Sequence, residues 1–210
     1  SNNYESRTDY SYLDSRDRKN YLFNTKIKSI EESDLIILIG TNPRLEATIL
    51  NSRIRKAFIN NKTEIFSMND VGDLTYPYKL INGDTETIKN ISEDNHELSE
   101  KIKNSTKPLI IFDQSSLLLK SFGFIFESLK TFLIKNNKIS DKWNSLNVMS
   151  NDASTVGSFD LGIYKNTNNE NEVLKNLQNN IYEIIYLLGV DNLDFNKKKE
   201  FIIYQGSHGD

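Results

Sequence analysis

Apolar residues in this chain follow two rhythms. Asp34–Ile39 contains an unbroken run, Leu35-Ile36-Ile37-Leu38-Ile39, closed by Gly40. Leu109–Asp113, led by Pro108, repeats the pattern. Short continuous runs of this kind suit strands covered on both faces, as in a parallel sheet. Between them Ala47, Leu50, Ile54, Ala57 and Phe58 recur at helical spacing, with Glu46, Arg53, Lys56 and Asn60 on the other side. That stripe predicts an amphipathic helix running from residue 43.

The same rhythms place the remaining elements. Thr63–Met68 and Leu146–Met149 read as further strands, and Glu183–Leu188 and Phe201–Tyr204 as two more. Ser115–Lys135 is the longest predicted helix, with Leu118, Phe122, Ile125, Leu129 and Phe132 along one stripe. Asp84–Asn90, Glu97–Lys103 and Val173–Asn180 read as shorter helices, and Asp73–Tyr78 as an aromatic loop containing Pro77. Residues 165–172 read as a solvated loop. Residues 1–20 are polar and read as an arm ahead of a domain over 21–210. Strands alternating with helices predict an α/β fold: a Rossmann-like, mostly parallel sheet flanked by helices. The last strand closes at Gln205-Gly206, so the domain is expected to be partial, completed by another chain.

The turn Gly40-Thr41-Asn42-Pro43 is the candidate site. Gly40 lets the backbone leave the strand sharply. Asn42 is a good N-cap and Pro43 suits the first helical position. The free N–H groups of such a helix mouth face the carboxyl end of the sheet, where phosphates bind in open α/β folds. One glycine is not a GxGxxG fingerprint, however, and no GxxxxGK[ST] is present. On local chemistry alone the structural turn is the favoured reading.

Composition narrows the chemistry. Of 210 residues, 37% are apolar and the net charge is −3 from 26 basic and 29 acidic groups. That balance is no electrostatic footprint for nucleic acid. There are no cysteines and only two histidines, His96 and His208. Disulfides, thiolate metal sites and cysteine-ligated iron–sulfur clusters are thereby excluded within this chain. The apolar runs are far shorter than the ~20 residues a membrane-spanning helix needs. No secretory signal is legible at the N-terminus, and the richness in Asn, Lys and Ile fits an A/T-rich coding genome such as an organellar one.

Longer words in the chain carry a resemblance. Gly40-Thr41-Asn42-Pro43-Arg44, Glu46 and Asn51-Ser52-Arg53-Ile54-Arg55-Lys56 follow Tyr21-Leu22-Phe23-Asn24-Thr25 and Glu31-Glu32-Ser33-Asp34. Shorter words, Asp73-Leu74-Thr75-Tyr76 and Asp160-Leu161-Gly162, come next, and the chain ends in Phe201-Ile202-Ile203-Tyr204-Gln205-Gly206-Ser207-His208-Gly209-Asp210. Within this order the stretch from Ile39 to Ala57 resembles a segment of the large subunits of molybdopterin oxidoreductases, in which such a turn faces the guanine nucleotide of the pterin cofactor. It resembles more closely their cofactor-free relatives, the 75 kDa iron–sulfur subunits of respiratory complex I. Ser207 departs from the family's histidine, and the family's cysteine-rich cluster region has no counterpart here.

The resemblance implies a middle piece of the molybdopterin-oxidoreductase-like domain, from a split gene, with Gly40, Thr41, Asn42 and Pro43 as a vestigial nucleotide turn. It implies a non-catalytic subunit of the peripheral arm, on the matrix side of the mitochondrial inner membrane, with an alphaproteobacterial source as the other possibility. No catalytic residue, cofactor or metal is expected in this chain. Iron–sulfur clusters are expected in a partner, the cluster-bearing N-terminal part of the same subunit, and another chain is expected to complete the domain. Two other readings remain open: a molybdopterin guanine dinucleotide-binding fragment of an active oxidoreductase, and a free-standing small-molecule binding module.

Other candidates read as structure. Ser207, His208 and Asp210 are sequence neighbours, and a catalytic triad instead needs converging groups. Arg44, Glu46, Arg53 and Arg55 suggest an anion clamp, but Arg44 and Arg55 lie three turns apart on one helix, so salt bridges are expected instead. Asp14, Asp17, Glu31, Glu32 and Asp34 have no metal-site spacing. His96 sits among acids and reads as a surface residue. Trp143 and the pair Tyr76 and Tyr78 read as interface anchors, with core packing an equal alternative for Trp143.

Overall fold

The expected strand Leu35–Ile39 forms as β1, and all five of its side chains are buried. Alternate residues turn to opposite faces of a strand. Leu35, Ile37 and Ile39 enter one apolar cluster, while Ile36 and Leu38 enter a second. That is why the run has no polar beat. The computed structural model describes Tyr4 and residues 14–113, 116, 121–150, 154–163, 172–190, 193 and 199–207. The chain divides into two units, Thr8–Asn166, and Ser1–Arg7 with Thr167–Asp210.

The first unit holds a five-stranded sheet. After β1 come β2 (Glu64–Ser67), β3 (Lys79–Leu80), β4 (Pro108–Asp113) and β5 (Leu146–Met149). Their order is β3-β2-β1-β4-β5, and every pairing is parallel, with Leu35 opposite both Glu64 and Pro108. This is the order of a doubly wound sheet, whose switch point lies between β1 and β4. The short β3 is an addition to the strands expected from the sequence.

Helices cover both faces. Leu50 and Ile54 of α2 (Thr48–Asn61) pack on one face with Ile30, Ile36, Leu38, Leu109 and Ile111. The other face carries α3 (Thr85–Ser92), α4 (Glu97–Asn104) and α5 (Phe122–Lys135), through Ile88, Leu98, Ile102, Phe126 and Leu129. Within the described residues the long helix runs Phe122–Lys135. Residues 114, 115 and 117–120, Leu118 among them, lie outside the described residues.

One expectation is corrected. The single helix from residue 43 is divided into α1 (Pro43–Glu46) and α2 by Ala47, at φ −148 and ψ 72. Ala47 N–H still donates to Pro43 O (3.1 Å) and its carbonyl accepts from Asn51 N–H (2.9 Å). The break therefore leaves no backbone group of Ala47 unpaired, and helical periodicity gives no sign of it.

The edge at β5 is covered by Tyr21–Thr25. Val148 N–H donates to Leu22 O (3.0 Å), and Thr25 N–H donates to Asn147 Oδ1 (2.8 Å). Asn24 Nδ2 reaches Leu146 O (2.8 Å). A covered edge is protected from pairing with a foreign strand. Residues 14–20 also belong to this unit. Asn20 is buried, and Lys130 Nζ donates to Asp17 Oδ2 and Asn20 Oδ1. Beyond β5, α6 (Thr155–Asp160) places Phe159 against Tyr21, with ring centroids 4.7 Å apart.

In the second unit, α7 (Glu172–Gln178) precedes a two-stranded parallel sheet of β6 (Ile184–Leu188) and β7 (Phe201–Gln205). The last strand, expected to close a partial domain completed by another chain, is paired on one edge by β6 of the same chain, with Ile184 opposite Phe201. Ile185 is buried, whereas Ile184, Tyr186, Leu188, Phe201 and Ile203 are exposed. By strand alternation and register these five lie on one face. The solvated loop expected over 165–172 falls outside the described residues except for Glu172, which opens α7.

Candidate functional site

Gly40 leaves β1 at φ +71, in the left-handed region that favours glycine. The next three residues build the helix mouth. Asn42 Oδ1 accepts from the N–H groups of Arg44 (3.2 Å) and Leu45 (3.3 Å), and Pro43 has no N–H to offer. Two further donors turn to a carboxylate within the chain. Glu46 Oε1 accepts from Asn42 N–H (3.2 Å), and Glu46 Oε2 accepts from the buried Thr41 hydroxyl (3.0 Å). The reciprocal arrangement is a relative of the capping box, in which an acid one turn in reaches back to the cap's N–H.

A carboxylate, Glu46, therefore stands at the helix mouth and holds two of its donors. An incoming phosphate would meet a like charge, a repulsion of roughly 1 kcal/mol at 4 Å in water and 4 kcal/mol near a protein surface. The helix it would face, α1, has only four residues, so its dipole is short. The turn does not fit the pyrophosphate of a guanine dinucleotide. Among the described residues no cluster of metal-ligating side chains accompanies it.

A cavity of about 320 Å³ opens beside the turn, at the carboxyl ends of β1 and β4. Ile39, Asn69, Thr85, Phe112, Ser116 and Phe122 contribute to its wall, and no described lining residue is charged. Gly83 also borders it: a Cβ there would stand 2.2 Å from Met68 O. The position is that of a doubly wound ligand crevice, but its described wall offers a phosphate no cation.

The loop after β2 is tied over the turn. Asn42 Nδ2 donates to Val71 O (3.0 Å), and Arg44 Nη1 donates to Asp73 O and Asp73 Oδ2, both at 2.6 Å. Asn51 Nδ2 donates to Leu74 O (3.1 Å), and Tyr76 Oη donates to Asn51 Oδ1 (2.7 Å). Elsewhere Arg53 pairs with Glu31, and Arg18 grips Asp160 through Nε and Nη2 at 2.8 and 2.9 Å. Tyr21 Oη donates to the same carboxylate (2.8 Å). The separated words thus meet in pairs: residues 40–44 with 73–76, 31–34 with 51–56, and 21–25 with 160–162.

The clamp reading dissolves on this geometry, since Arg44 and Arg53 bind different carboxylates, as the salt-bridge reading expects. The acidic group is likewise accounted for: Asp14 pairs with Arg16, Asp17 with Lys130 and Glu32 with Lys107. Asp34 accepts from Thr106 N–H (2.6 Å), Lys107 N–H (2.9 Å) and the Ser105 hydroxyl. Burial raises the pKa of Asp34, but these three bonds outweigh it and hold the carboxyl below its ordinary value. His96 is more than a surface residue, because its Nδ1 accepts from Leu98 N–H (3.1 Å) and caps α4. Trp143 is half-buried against the second cluster and donates from Nε1 to Pro108 O (2.9 Å). Tyr76 is buried, and the Tyr78 hydroxyl accepts from Val71 N–H (3.2 Å). His208 and Asp210 lie outside the described residues.

Sequence reasoning missed Glu46 as the occupant of the turn and Asn51 as the anchor of the loop. An acid four residues after an N-cap asparagine was the available signal for the first. For the second, the signal was a polar residue on the apolar stripe of a helix.

A family model for molybdopterin oxidoreductase matches residues 1–210. The chain is 40% identical over 194 residues to the NADH-ubiquinone oxidoreductase 75 kDa subunit of Reclinomonas americana, covering 92% of this chain and 28% of that one. It is 34% identical over 211 residues to an NADH-quinone oxidoreductase subunit of Rickettsia bellii, with 100% and 30% covered. Against the mitochondrial NADH dehydrogenase (ubiquinone) iron-sulfur protein 1 of Solanum tuberosum it is 30% identical over 195 residues, with 92% and 25% covered. The chain spans less than a third of the length of each of these relatives.

Proposed function

The chain belongs to the molybdopterin oxidoreductase family, and we propose that it works there without the cofactor, as a structural part of the peripheral arm of NADH:ubiquinone oxidoreductase. The relatives' names support the complex. The observation that carries the non-catalytic role is Glu46, whose carboxylate accepts from Asn42 N–H and the Thr41 hydroxyl at the mouth where the family's nucleotide would sit. The chain's work is to scaffold neighbouring subunits. NADH-to-quinone electron transfer would run through iron–sulfur clusters held elsewhere, since the chain has no cysteine to ligate one. The reading places it on the matrix side of the mitochondrial inner membrane. No helix of the described residues is long and apolar enough to cross a membrane.

The same reading gives β6 and β7 their role. Parallel strands are ordinarily buried on both faces, and this pair exposes five large apolar side chains on one. The reading expects that face to be covered in the assembled arm.

The test is a native-gel complexome profile of detergent-solubilised membranes, following this polypeptide by mass spectrometry. Migration with the NADH-oxidising complex is expected. Migration alone, or in a small assembly containing molybdenum, would overturn the proposal and favour an active pterin enzyme.

A further inference from the structure

Helix α2 carries a second face that none of the described residues covers. Leu50, Asn51, Ile54 and Ala57 are buried, while Ile49, Ser52, Arg55, Lys56 and Ile59 form the exposed stripe opposite. Ile49 is 68% exposed and Ile59 54%, and Leu45, just before the helix, is 79% exposed. The stripe has two cations and no acid. Lys56 pairs with Glu31 at 3.7 Å, a carboxylate it shares with Arg53. Arg55 lies within electrostatic reach of Asp73, which Arg44 already holds. Each carboxylate thus faces two cations, and the face keeps a positive excess.

Single exposed aliphatics are ordinary, but here two isoleucines flank two cations along one helix face. Ile49 and Ile59 are ten residues apart, about 15 Å along the helix. We propose that this face docks an acidic amphipathic segment of a partner protein, with aliphatic or aromatic side chains on Ile49 and Ile59 and carboxylates opposite Arg55 and Lys56. Charge complementarity selects the partner's sign and register, and the isoleucines supply the apolar contact. A nucleic acid would match the cations and leave the two isoleucines without an apolar partner. The inference rests on the reading that the chain works inside a multi-subunit assembly, but not on which assembly that is.

The experiment compares the free chain with the native assembly isolated from its source. Hydroxyl-radical footprinting reads Ile49 and Ile59, and a zero-length carbodiimide links Lys56 to any carboxylate in contact. The expected result is a severalfold drop in oxidation of both isoleucines on assembly and a Lys56 cross-link to an Asp or Glu of another polypeptide. Arg55→Glu should lower recovery of the chain in the assembly while leaving its Trp143 fluorescence melt unchanged. Equal oxidation in the free and assembled states overturns the docking face, even inside an NADH-oxidising complex. Protection within an assembly that does not oxidise NADH keeps the docking face and overturns the proposed function. Recovery of nucleic acid instead of a protein carboxylate overturns the inference.

Discussion

Tyr76 Oη donates to Asn51 Oδ1 at 2.7 Å, and both residues are buried. Asn51 uses its other end to hold Leu74 O, so one side chain fastens the loop after β2 to the middle of α2. Burial pushes the Tyr76 hydroxyl well above its ordinary pKa, so it stays protonated and able to donate. Tyr76→Phe leaves Asn51 Oδ1 unsatisfied, at an expected cost of about 1–3 kcal/mol. Asn51→Leu strands the Leu74 carbonyl as well and should cost more. Because the two residues share one bond, the double variant should fall short of the sum by about 1 kcal/mol. Urea denaturation followed through Trp143, the sole tryptophan, reads all three. Full additivity would count against the bond.

Glu46 gives a binding prediction. The wild-type chain should show no saturable GDP binding by calorimetry at millimolar nucleotide, because Asn42 N–H and the Thr41 hydroxyl are engaged by Glu46 and the Arg44 and Leu45 N–H groups by Asn42 Oδ1. Glu46→Ala should lower stability by about 1 kcal/mol, the usual value of a lost cap. Saturable GDP binding by the wild type would defeat the vestigial reading.

Gly83→Ala tests the cavity wall. The added methyl would stand 2.2 Å from a backbone oxygen, Met68 O, which no rotamer change relieves. A loss of about 1–3 kcal/mol is expected, as for overpacking. At Gly157, where a Cβ would meet nothing within 4 Å, alanine should be neutral or slightly stabilising, since Gly157 lies within α6. Thermal melts of the two variants make the comparison.

Acid should loosen the first unit through named carboxylates. Hydrogen bonds from Arg18 and Tyr21 hold Asp160 below the ordinary 3.8. Asp34 is also lowered, its bonds from the 105–107 segment overcoming burial. A folded-state pKa below the unfolded one adds stability that is fully present above the unfolded value and is lost as pH falls through the folded value. The melting temperature should therefore be insensitive to Asp34 and Asp160 near neutral pH and drop below about pH 4. Asp34→Asn should melt lower at neutral pH and show a shallower acid limb. An acid limb of wild-type slope would remove Asp34 from the account.

The open face of β6 and β7 predicts behaviour in isolation. The free chain should bind a hydrophobic dye and self-associate, as exposed apolar patches do. A double change, Ile184→Lys with Ile203→Lys, should reduce both in light scattering and dye fluorescence. It should also prevent incorporation into the native assembly. Normal incorporation would show that this face is not covered there.

The strands were legible before any coordinate, because a strand buried on both faces must be apolar at every position. Leu35–Ile39 and Leu109–Phe112 therefore announced themselves and implied the parallel, helix-flanked sheet that formed. The cap at Asn42 and Pro43 was legible too, since those residue types act locally. So was the family, through words long enough to be specific. Folding in three dimensions settled what depends on groups brought together from far along the chain. Ala47 breaks a helix that propensity would continue, in the same place where Glu46 folds back onto the turn. Tyr21 meets Asp160, Glu31 meets Arg53, and Asn51 meets Tyr76, and no period or composition encodes those pairings. The bonds from Thr41 and Asn42 to Glu46 are local, five and four residues apart, and depend on the break at Ala47 that lets the short first helix fold back onto the turn.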